Sequence, residues 1–469
     1  MKKTLIAISI VLALSACATQ APLQTEAPDV PAQWLHKDAE ALSSAAVTQD
    51  WWRSFGSTEL DELIAIAQTQ SLDVAAAVAR VNQAQASATI AGAAMLPELS
   101  GTLGGGRNGR LGGDAVVTGT SYNAGLSASY ELDFWGRNRA LRDGSQSLVR
   151  VAIFDRDTVR LTVTAGVASA WLQAVGLRER SAIAELSLAS AQRLLNVAES
   201  RARAGAGNQL ELAQQRGLVA AQQRVLAAIR QQAEDSQTTL AVLLGRSVTA
   251  LTLTSADLRT LRAPAITSGL PSKLLTQRPD IARAEARLLS ADANITVARA
   301  AMLPSVVLSA NADAISNRSS TVFDNPLYSL AAGLTAPIFN AGRLAAGRDL
   351  AVAQREELLA NYRQAIIAAF GDVEVALNAV TGIEAQRIAQ QEELKQAQRA
   401  LTLAESRYRA GAETLLTLLD AQRTLYAAQD TSAQLNTLRL QASVSLYKAL
   451  GGGWKITDQS PLESAPAGA

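Results

Sequence analysis

The sequence predicts a mainly α-helical chain with a membrane β-barrel component: long antiparallel helices, four short strands, and the whole pattern written twice in tandem. Three observations predict this class. A set of strings recurs at a nearly constant offset, two long stretches run without proline, and strand-length segments with turn-type flanks collect aromatic residues. Composition agrees with it. Charged residues are 18% and aromatics 4% of the 469, and the hydrophobic 48% is carried largely by Ala, Leu and Val. Such material suits helices packed closely through small side chains better than a thick globular core. A net charge of +1 gives no electrostatic reason to expect nucleic acid or an acidic surface as partner.

The repeat comes first, because it sets the organisation. Ala198-Glu-Ser-Arg-Ala-Arg-Ala-Gly205 returns as Ala404-Glu-Ser-Arg-Tyr-Arg-Ala-Gly411, an offset of 404 − 198 = 206. Leu244-Gly245 and Leu450-Gly451 share it, as do Tyr122 and Tyr328, and Gly136-Arg137 and Gly342-Arg343. Ala93-Ala-Met-Leu-Pro97 returns as Ala300-Ala-Met-Leu-Pro304 at 207. The unit is too long for a solenoid repeat and reads as a duplication. The expected boundaries are a signal segment 1–16, an N-terminal segment 17–56, a first repeat 57–245, a linker 246–270, a second repeat 271–451 and a tail 452–469.

Each copy has the same order of elements. A helical stretch of about 50 Å ends at Met-Leu-Pro, where proline stops a helix. Two strand-length segments come next, Leu99–Gly105 and Ser121–Phe134 in the first copy, Ser305–Ala312 and Leu327–Phe339 in the second. The loop Gly104–Gly113 separates the first pair, and an Asn/Ser/Asp loop the second. Alternation of apolar and polar residues in these segments is imperfect. Seven of the nineteen aromatics nevertheless lie there: Tyr122, Tyr130, Phe134, Trp135, Phe323, Tyr328 and Phe339. A transmembrane barrel concentrates aromatics at its two interfaces in this way, although hairpins capping a soluble helical domain would show the same segments. Gly136–Ala204 and Gly342–Ala410 then contain no proline, and each spans about 100 Å as a helix. Glycine turns lead into shorter helices, Leu210–Leu244 and Leu415–Leu450, of about 50 Å. Two short helices end to end therefore match one long one.

Side-chain stripes support packed helices. Leu394, Leu401, Tyr408 and Leu415 stand seven apart, with Ala397, Ala404 and Gly411 three residues on from the first three. Leu188, Leu195, Ala191, Ala198 and Gly205 repeat the seam, and Glu384, Gln391, Gln398 and Glu405 form a parallel polar stripe. Small residues at one seam position let helices approach closely. Periodicity alone is compatible with a solid rod, whereas its combination with barrel-like strands favours a water-filled tube.

The N-terminus has the pattern of an export signal: Lys2 and Lys3, then an apolar run from Leu5 to Ala16 that is too short to span a bilayer. It ends in Leu14-Ser15-Ala16-Cys17, which resembles the lipobox of bacterial lipoproteins, in which the Cys is acylated. Cys17 is the only cysteine, so no disulfide within the chain competes for it. Ala18 stands in place of the Asp that retains such lipoproteins in the inner membrane, and this favours the outer membrane.

Five strings then become specific together: Glu131-Leu-Asp-Phe-Trp-Gly-Arg137, Arg278-Pro-Asp-Ile281, Ala301-Met-Leu-Pro304, Pro337-Ile-Phe-Asn-Ala-Gly-Arg343 and Leu418-Leu-Asp-Ala-Gln-Arg423. In order and spacing they resemble the TolC-type outer-membrane efflux proteins, most closely the lipidated OprM/NodT branch that serves resistance-nodulation-division (RND) pumps. The resemblance covers Trp51 to Gly453. It implies a homotrimer in which each chain gives four strands to a shared twelve-stranded barrel and its helices to a periplasmic tunnel. It also implies a periplasmic adaptor, an inner-membrane RND pump and outer-membrane lipid as partners, with no nucleic acid and no cofactor beyond the lipid on Cys17. Part of this can be argued independently: four strands cannot close a membrane barrel, so the chain must self-associate, although eight, twelve or sixteen strands would all satisfy that argument.

Catalytic chemistry is not expected. His36 is the single histidine, Cys17 is assigned to lipid, and the glycines of 104–113 lack the Lys-Ser/Thr of a phosphate-binding loop. The polar residues of interest sit at the two helix-turn-helix tips. There the family narrows to a constriction held by polar contacts and ringed by acidic side chains. Motif match gives Leu416, Asp420 and Arg423 as the expected periplasmic gate, with Tyr408 and Glu211 next. Ordinary solvated charges stabilising a helical turn are the plain alternative. Thr417, one turn before Asp420, stands where some relatives carry Asp, which argues against a double acidic ring. Two other functions stay open on the sequence: the duct of a type I protein secretion system, and a lipid-anchored periplasmic coiled-coil adaptor.

Overall fold

A computed structural model describes residues 30–35, 47–114, 116, 119–205, 208–264 and 269–456. The signal segment, Cys17, Ala18, His36 and the tail from 457 lie outside the described residues. The described helices and strands all belong to one compact unit, from Ala32 onward.

Twelve elements build the described chain, apart from short 3-10 turns. Helices α1 (Thr58–Gln70) and α2 (Leu72–Ala93) lead into strands β1 (Glu98–Arg107) and β2 (Thr120–Leu132), then helices α3 (Arg137–Arg203) and α4 (Gln209–Leu243). The order recurs as α5 (Pro271–Gln277), α6 (Pro279–Ala300), β3 (Ser305–Ser316), β4 (Pro326–Thr335), α7 (Arg343–Arg409) and α8 (Leu415–Ala449). Helices α3 and α7 have 67 residues each, about 100 Å, and α4 and α8 have 35 each, about 50 Å.

The sequence-based bounds differ from these in several places, each for a local reason; β3, expected to stop at Ala312, runs on to Ser316 because residues 313–316 pair with β2. The first helix of each half is broken in two. Ser71 takes an extended conformation, and Arg278 precedes Pro279, which disfavours helical geometry at the residue before it. Gly104–Gly106 belong to β1 rather than to the loop, because each pairs with a residue of β2. Phe134 and Phe339 lie beyond the ends of β2 and β4, in the turns into α3 and α7.

The four strands make one antiparallel sheet in the order β1-β2-β3-β4, so β2 and β3 join the two halves and β1 and β4 are its edges. Its register resolves the imperfect alternation. Leu99 faces Ala128, Leu103 faces Ala124 and Tyr130 faces Leu308; Ala310 in turn faces Leu330, and Val306 faces Leu334. Opposed residues of an antiparallel pair share a face. One face is therefore Leu, Ala, Val, Tyr and Gly almost throughout, with Leu103 84% and Leu330 76% exposed in the single chain. The other carries Ser100, Thr102, Asn123, Ser127, Ser129, Ser309, Asn311 and Ser329, cross-linked where Ser127 Oγ donates to Asn311 Oδ1 at 2.7 Å. Serine, glycine and alanine hide this alternation in the linear sequence because each is tolerated on either face.

Along the strands, Tyr122 and Tyr328 lie towards the loop end and Tyr130 towards the helix end. Tyr122 and Tyr130 are eight residues apart, about 27 Å along a strand. At a strand tilt of ~40° that length gives about 21 Å of height, close to the apolar band of a membrane barrel, about 25 Å tall between aromatic girdles. Trp135 is fixed just below, its indole N–H donating to the Pro304 carbonyl at 2.6 Å.

The helices form an arc rather than a globule. Helix α3 packs against α2 and α4 on one side and against α6 and α8 on the other, and α7 lies beyond these, against α6 and α8. Asp155 of α3 ties three helices, accepting from Arg80 of α2 at 2.5 Å and from Arg283 of α6 at 2.6 Å. Close approach is achieved by small residues: a Cβ on Gly176 of α3 would run into the Thr437 hydroxyl of α8. The two edges of the arc expose apolar side chains, Leu350, Ile367, Val375 and Ile388 on α7, and Val78, Ile90 and Val242 on α2 and α4. They coincide in sequence with the sheet edges, since α2 runs into β1 and β4 runs into α7.

Midway along, chain segments wrap the arc. Trp34 is buried, donates to the Gly269 carbonyl at 2.8 Å and meets Phe370 edge-on. The linker is held by Glu59, which accepts from Trp171 Nε1 at 2.9 Å, from the Thr254 backbone and hydroxyl, and from the Ser255 backbone.

Candidate channel gate at the helical tips

Both tips are built the same way. Helix α3 ends at Ala204 and Gly205, α7 at Ala410 and Gly411, and both glycines take the left-handed conformation, φ +74 and +71, that an L side chain resists. Each following helix starts on a polar cap: Asn208 Oδ1 accepts from Leu210 N–H at 2.9 Å, and Thr414 Oγ1 from Thr417 N–H at 3.4 Å.

Between the tips lies a small core of Ala191, Leu218, Val219, Ala404, Tyr408, Leu415, Leu418 and Leu419. The seam expected from the heptads is thus buried: Ala191, Ala198, Ala397 and Ala404 are all nearly inaccessible, with Leu394 and Leu401 packed beside them. Two glutamines stitch antiparallel neighbours, Gln215 Nε2 donating to the Ala191 carbonyl at 2.8 Å and Gln390 Nε2 to the Ala428 carbonyl at 3.0 Å.

The expected gate residues fall into two groups. Leu416, Asp420 and Arg423, at positions i, i+4 and i+7 of α8, are exposed on one face, Leu416 by 56%. Neither Asp420 nor Arg423 forms an ion pair with a described residue. Tyr408 is elsewhere: it is 7% exposed, packs on the opposite, buried face of α8, and carries the Arg201 guanidinium 5.1 Å from its ring centroid. Its hydroxyl is buried with no hydrogen-bond partner among the described residues. Glu211 is half-buried in the first turn of α4, where the helix dipole favours a carboxylate.

Ion pairs brace the turns. Glu413 accepts from the Thr417 hydroxyl at 3.1 Å and meets Arg407 at 3.5 Å, Arg409 meets Glu405 at 3.3 Å, and Arg216 meets Glu199 at 3.1 Å. These pairs are largely exposed and individually weak. Further from the tip, Arg180 and Asp430 join α3 to α8 through two contacts of 2.7 and 3.1 Å. On the polar stripe, Glu384 takes a bidentate bond from Arg387, which holds its carboxyl below the usual range. Arg439 lies across from them. Burial first, and then the like charge of Arg387, draw its guanidinium below its ordinary value.

Gln422 is a residue that the sequence presents only as a motif letter. It is 1% exposed and neither amide atom has a partner among the described residues. Its one signal in the sequence is a polar residue on the apolar stripe of α8. No group of three or more His, Cys, Asp or Glu capable of holding a metal occurs among the described residues.

A two-faced four-stranded sheet joined to an arc of 100 Å helices with polar tips defines a subunit of a TolC-type channel. A family model described as outer membrane efflux protein matches residues 63–246 and again 270–452, and the chain belongs to that family. It is an outer-membrane channel protein and not an enzyme. It is 50% identical to the pyoverdine export outer membrane protein OpmQ of Pseudomonas aeruginosa over 97% of this chain and 98% of the relative. With the cation efflux system protein CusC of Escherichia coli it shares 32% identity over 96% of this chain and 99% of that one. The crystal structure of the open state of the MtrE outer membrane channel of Neisseria gonorrhoeae superposes with a TM-score of 0.84 at 28% identity, covering 93% of this chain and 99% of that one.

Proposed function

We propose that the protein is the exit duct of a tripartite RND-type efflux system that passes small molecules through the outer membrane. It works as a homotrimer, engaged from the periplasm by an adaptor that bridges it to the inner-membrane pump. The observation that carries this reading is the coincidence of edges. The sheet and the helical arc are open at the same two sides, and both edges expose groups that an isolated chain leaves unsatisfied. An open sheet edge in lipid is prohibitive, so the β4/α7 edge of one copy meets the β1/α2/α4 edge of the next. Three copies give twelve strands, with the apolar face outward and the serine-rich face lining water.

The two halves, 57–245 and 271–451, are tandem copies of one ancestral unit, as their matching element lengths support. Cys17 carries the lipid that anchors the N-terminus to the outer membrane. Leu416, Asp420 and Arg423 form the constriction at the periplasmic tips, with Tyr408 and Glu211 supporting them from behind. The resemblance to OpmQ supports a siderophore of the pyoverdine type as cargo.

The test is genetic and chemical together. A strain lacking this chain, and supplied with a siderophore of that type, should accumulate it in the periplasm and regain secretion on complementation. Unimpaired secretion of that cargo, with another RND substrate retained instead, would move the cargo assignment and leave the duct. Mass spectrometry of the mature protein should find diacylglycerol and acyl chains on Cys17. An unmodified Cys17 would overturn the anchor.

A further inference from the structure

The sheet register isolates one residue. Asp313 of β3 pairs with Gly125 of β2 and Leu327 of β4, which sets it on the face shared with Asn311, Ser309, Ser127 and Ser329. Apart from Glu98 and Glu131, which lie at the helix end of their strands, it is the only charged residue on that face. The opposite face carries no charge between the strand ends, as a lipid-facing surface requires. The neighbours of Asp313 are arranged to hold it over the backbone: a Cβ on Gly125 would stand 2.5 Å from Asp313 Oδ1 and 3.0 Å from the Thr102 hydroxyl. Gly125 is thus a notch over which the carboxylate lies, flanked by that hydroxyl.

We propose that Asp313 is a selectivity-determining residue of the barrel, a second charge filter on the outer side of the membrane, separate from the periplasmic tips. The proposal rests on the trimeric duct, because symmetry turns one carboxylate into a ring of three at a single height. Magnitudes decide whether such a ring matters in a wide pore. Twelve strands at ~4.8 Å spacing and ~40° tilt give a backbone radius of about 12 Å. A side chain reaching inward leaves its charge roughly 9 Å from the axis. That is close to the Debye length of about 8 Å at physiological salt, so the field reaches the centre of the pore. Summing three screened charges in water raises cation concentration on the axis about twofold at 0.15 M salt, about sixfold at 0.01 M, and negligibly at 1 M. Beyond Glu98 and the Arg137-paired Glu131 at the helix end, the rest of the face is Ser, Thr, Asn, Gly and a few apolar residues, so no strand residue of opposite sign cancels it.

The experiment is reversal-potential measurement in planar bilayers with purified full-length trimer. It uses the wild type, Asp313→Asn, Asp313→Glu and Asp313→Lys, each also in an Asp420→Ala background that removes the tip carboxylate in series. In that background cation preference should fall with Asp313→Asn, persist with Asp313→Glu and reverse with Asp313→Lys. The differences should grow at 0.01 M and vanish at 1 M salt. Conducting trimers whose selectivity is the same in all four variants at 0.01 M salt overturn the role of Asp313 and leave the duct standing. Failure of the wild-type protein to form any pore overturns both.

Discussion

Leu416, Asp420 and Arg423 lie on the exposed face of α8, whereas Tyr408 is packed behind it, and this division predicts different outcomes for residues that the motif groups together. Polar contacts at the tip are worth roughly 0.5–3 kcal/mol each, the upper part for charge-assisted bonds, and threefold symmetry multiplies each one. Arg423, exposed and without an ion pair among the described residues of one chain, is available to pair with a neighbouring copy, and Arg423→Ser should therefore raise single-channel conductance in planar bilayers. Tyr408→Phe combined with it should give the same conductance as Arg423→Ser alone, since the buried hydroxyl has no partner to lose among the described residues. Tyr408→Phe by itself should be neutral or slightly stabilising in denaturation of the trimer. Unchanged conductance in Arg423→Ser, with trimers intact, would place the gate elsewhere. If Asp420 rings the proposed gate, Asp420→Ala should weaken block by multivalent cations added from the periplasmic side. Glu59 supplies a pH dependence. Burial pushes its carboxyl up, but bonds from Ser255, Thr254 and Trp171 outweigh this and hold it below its ordinary value. Its stabilisation is therefore complete above the ordinary carboxylate range and is lost as pH falls through the lowered value. Hydrogen exchange in residues 251–258 should accelerate over that acidic window in the wild type. In Glu59→Gln it should already be fast at neutral pH.

At the scale of elements, the helical seams depend on side chains that are absent. Gly176 lets α3 touch Thr437 of α8, a buried residue that back-bonds to the Ala433 carbonyl at 3.1 Å. Gly176→Ala overpacks this crossing and should cost about 1–3 kcal/mol in thermal or chemical unfolding of the trimer. Adding Thr437→Ala should recover most of that loss, because the clash is with the threonine side chain rather than the backbone. Equal destabilisation in the single and double variants would show that α3 needs flexibility at 176 instead of space. The elements themselves are largely legible in the sequence. The 67-residue helices end within a residue of the bounds set by Gly136, Ala204, Gly342 and Ala410, because glycine and the absence of proline are backbone signals that packing seldom overrides. The breaks at Ser71 and Arg278 are not, although Pro279 marks the second. A single extended residue inside an apolar-periodic stretch leaves the period on either side nearly intact.

For the whole molecule, the shared open edges of sheet and arc predict a closed oligomer. Purified protein in mild detergent should be a heat-sensitive, detergent-resistant species of about three times the chain mass, with both helix and strand in its circular dichroism. A monodisperse monomer whose spectrum shows helix alone is incompatible with a shared barrel. Disrupting one edge should act at a distance. A charge at Ile367 or Val375, exposed on α7 in the isolated chain, should reduce the trimer yield without unfolding the helices, as read by cross-linking and circular dichroism.

The linear sequence alone determined the tandem order of elements, the helix lengths, the turn positions and the small-residue seams. Each of these depends on local backbone preference or on a period carried by neighbouring residues. It also held the family motifs, and through them the tips as the place to look for a gate. Only the tertiary structure decided which residues share a surface. Strand register divided the Ser-, Gly- and Ala-rich segments into an apolar face and a polar face and set Asp313 on the latter, away from the helix-end charges Glu98 and Glu131. Helix packing separated Tyr408 from Asp420, twelve positions apart on two antiparallel helices, and buried Gln422 beside an exposed Arg423. Face and burial are set by partners distant in the chain, and a residue tolerated in either environment carries no mark of which one it will occupy.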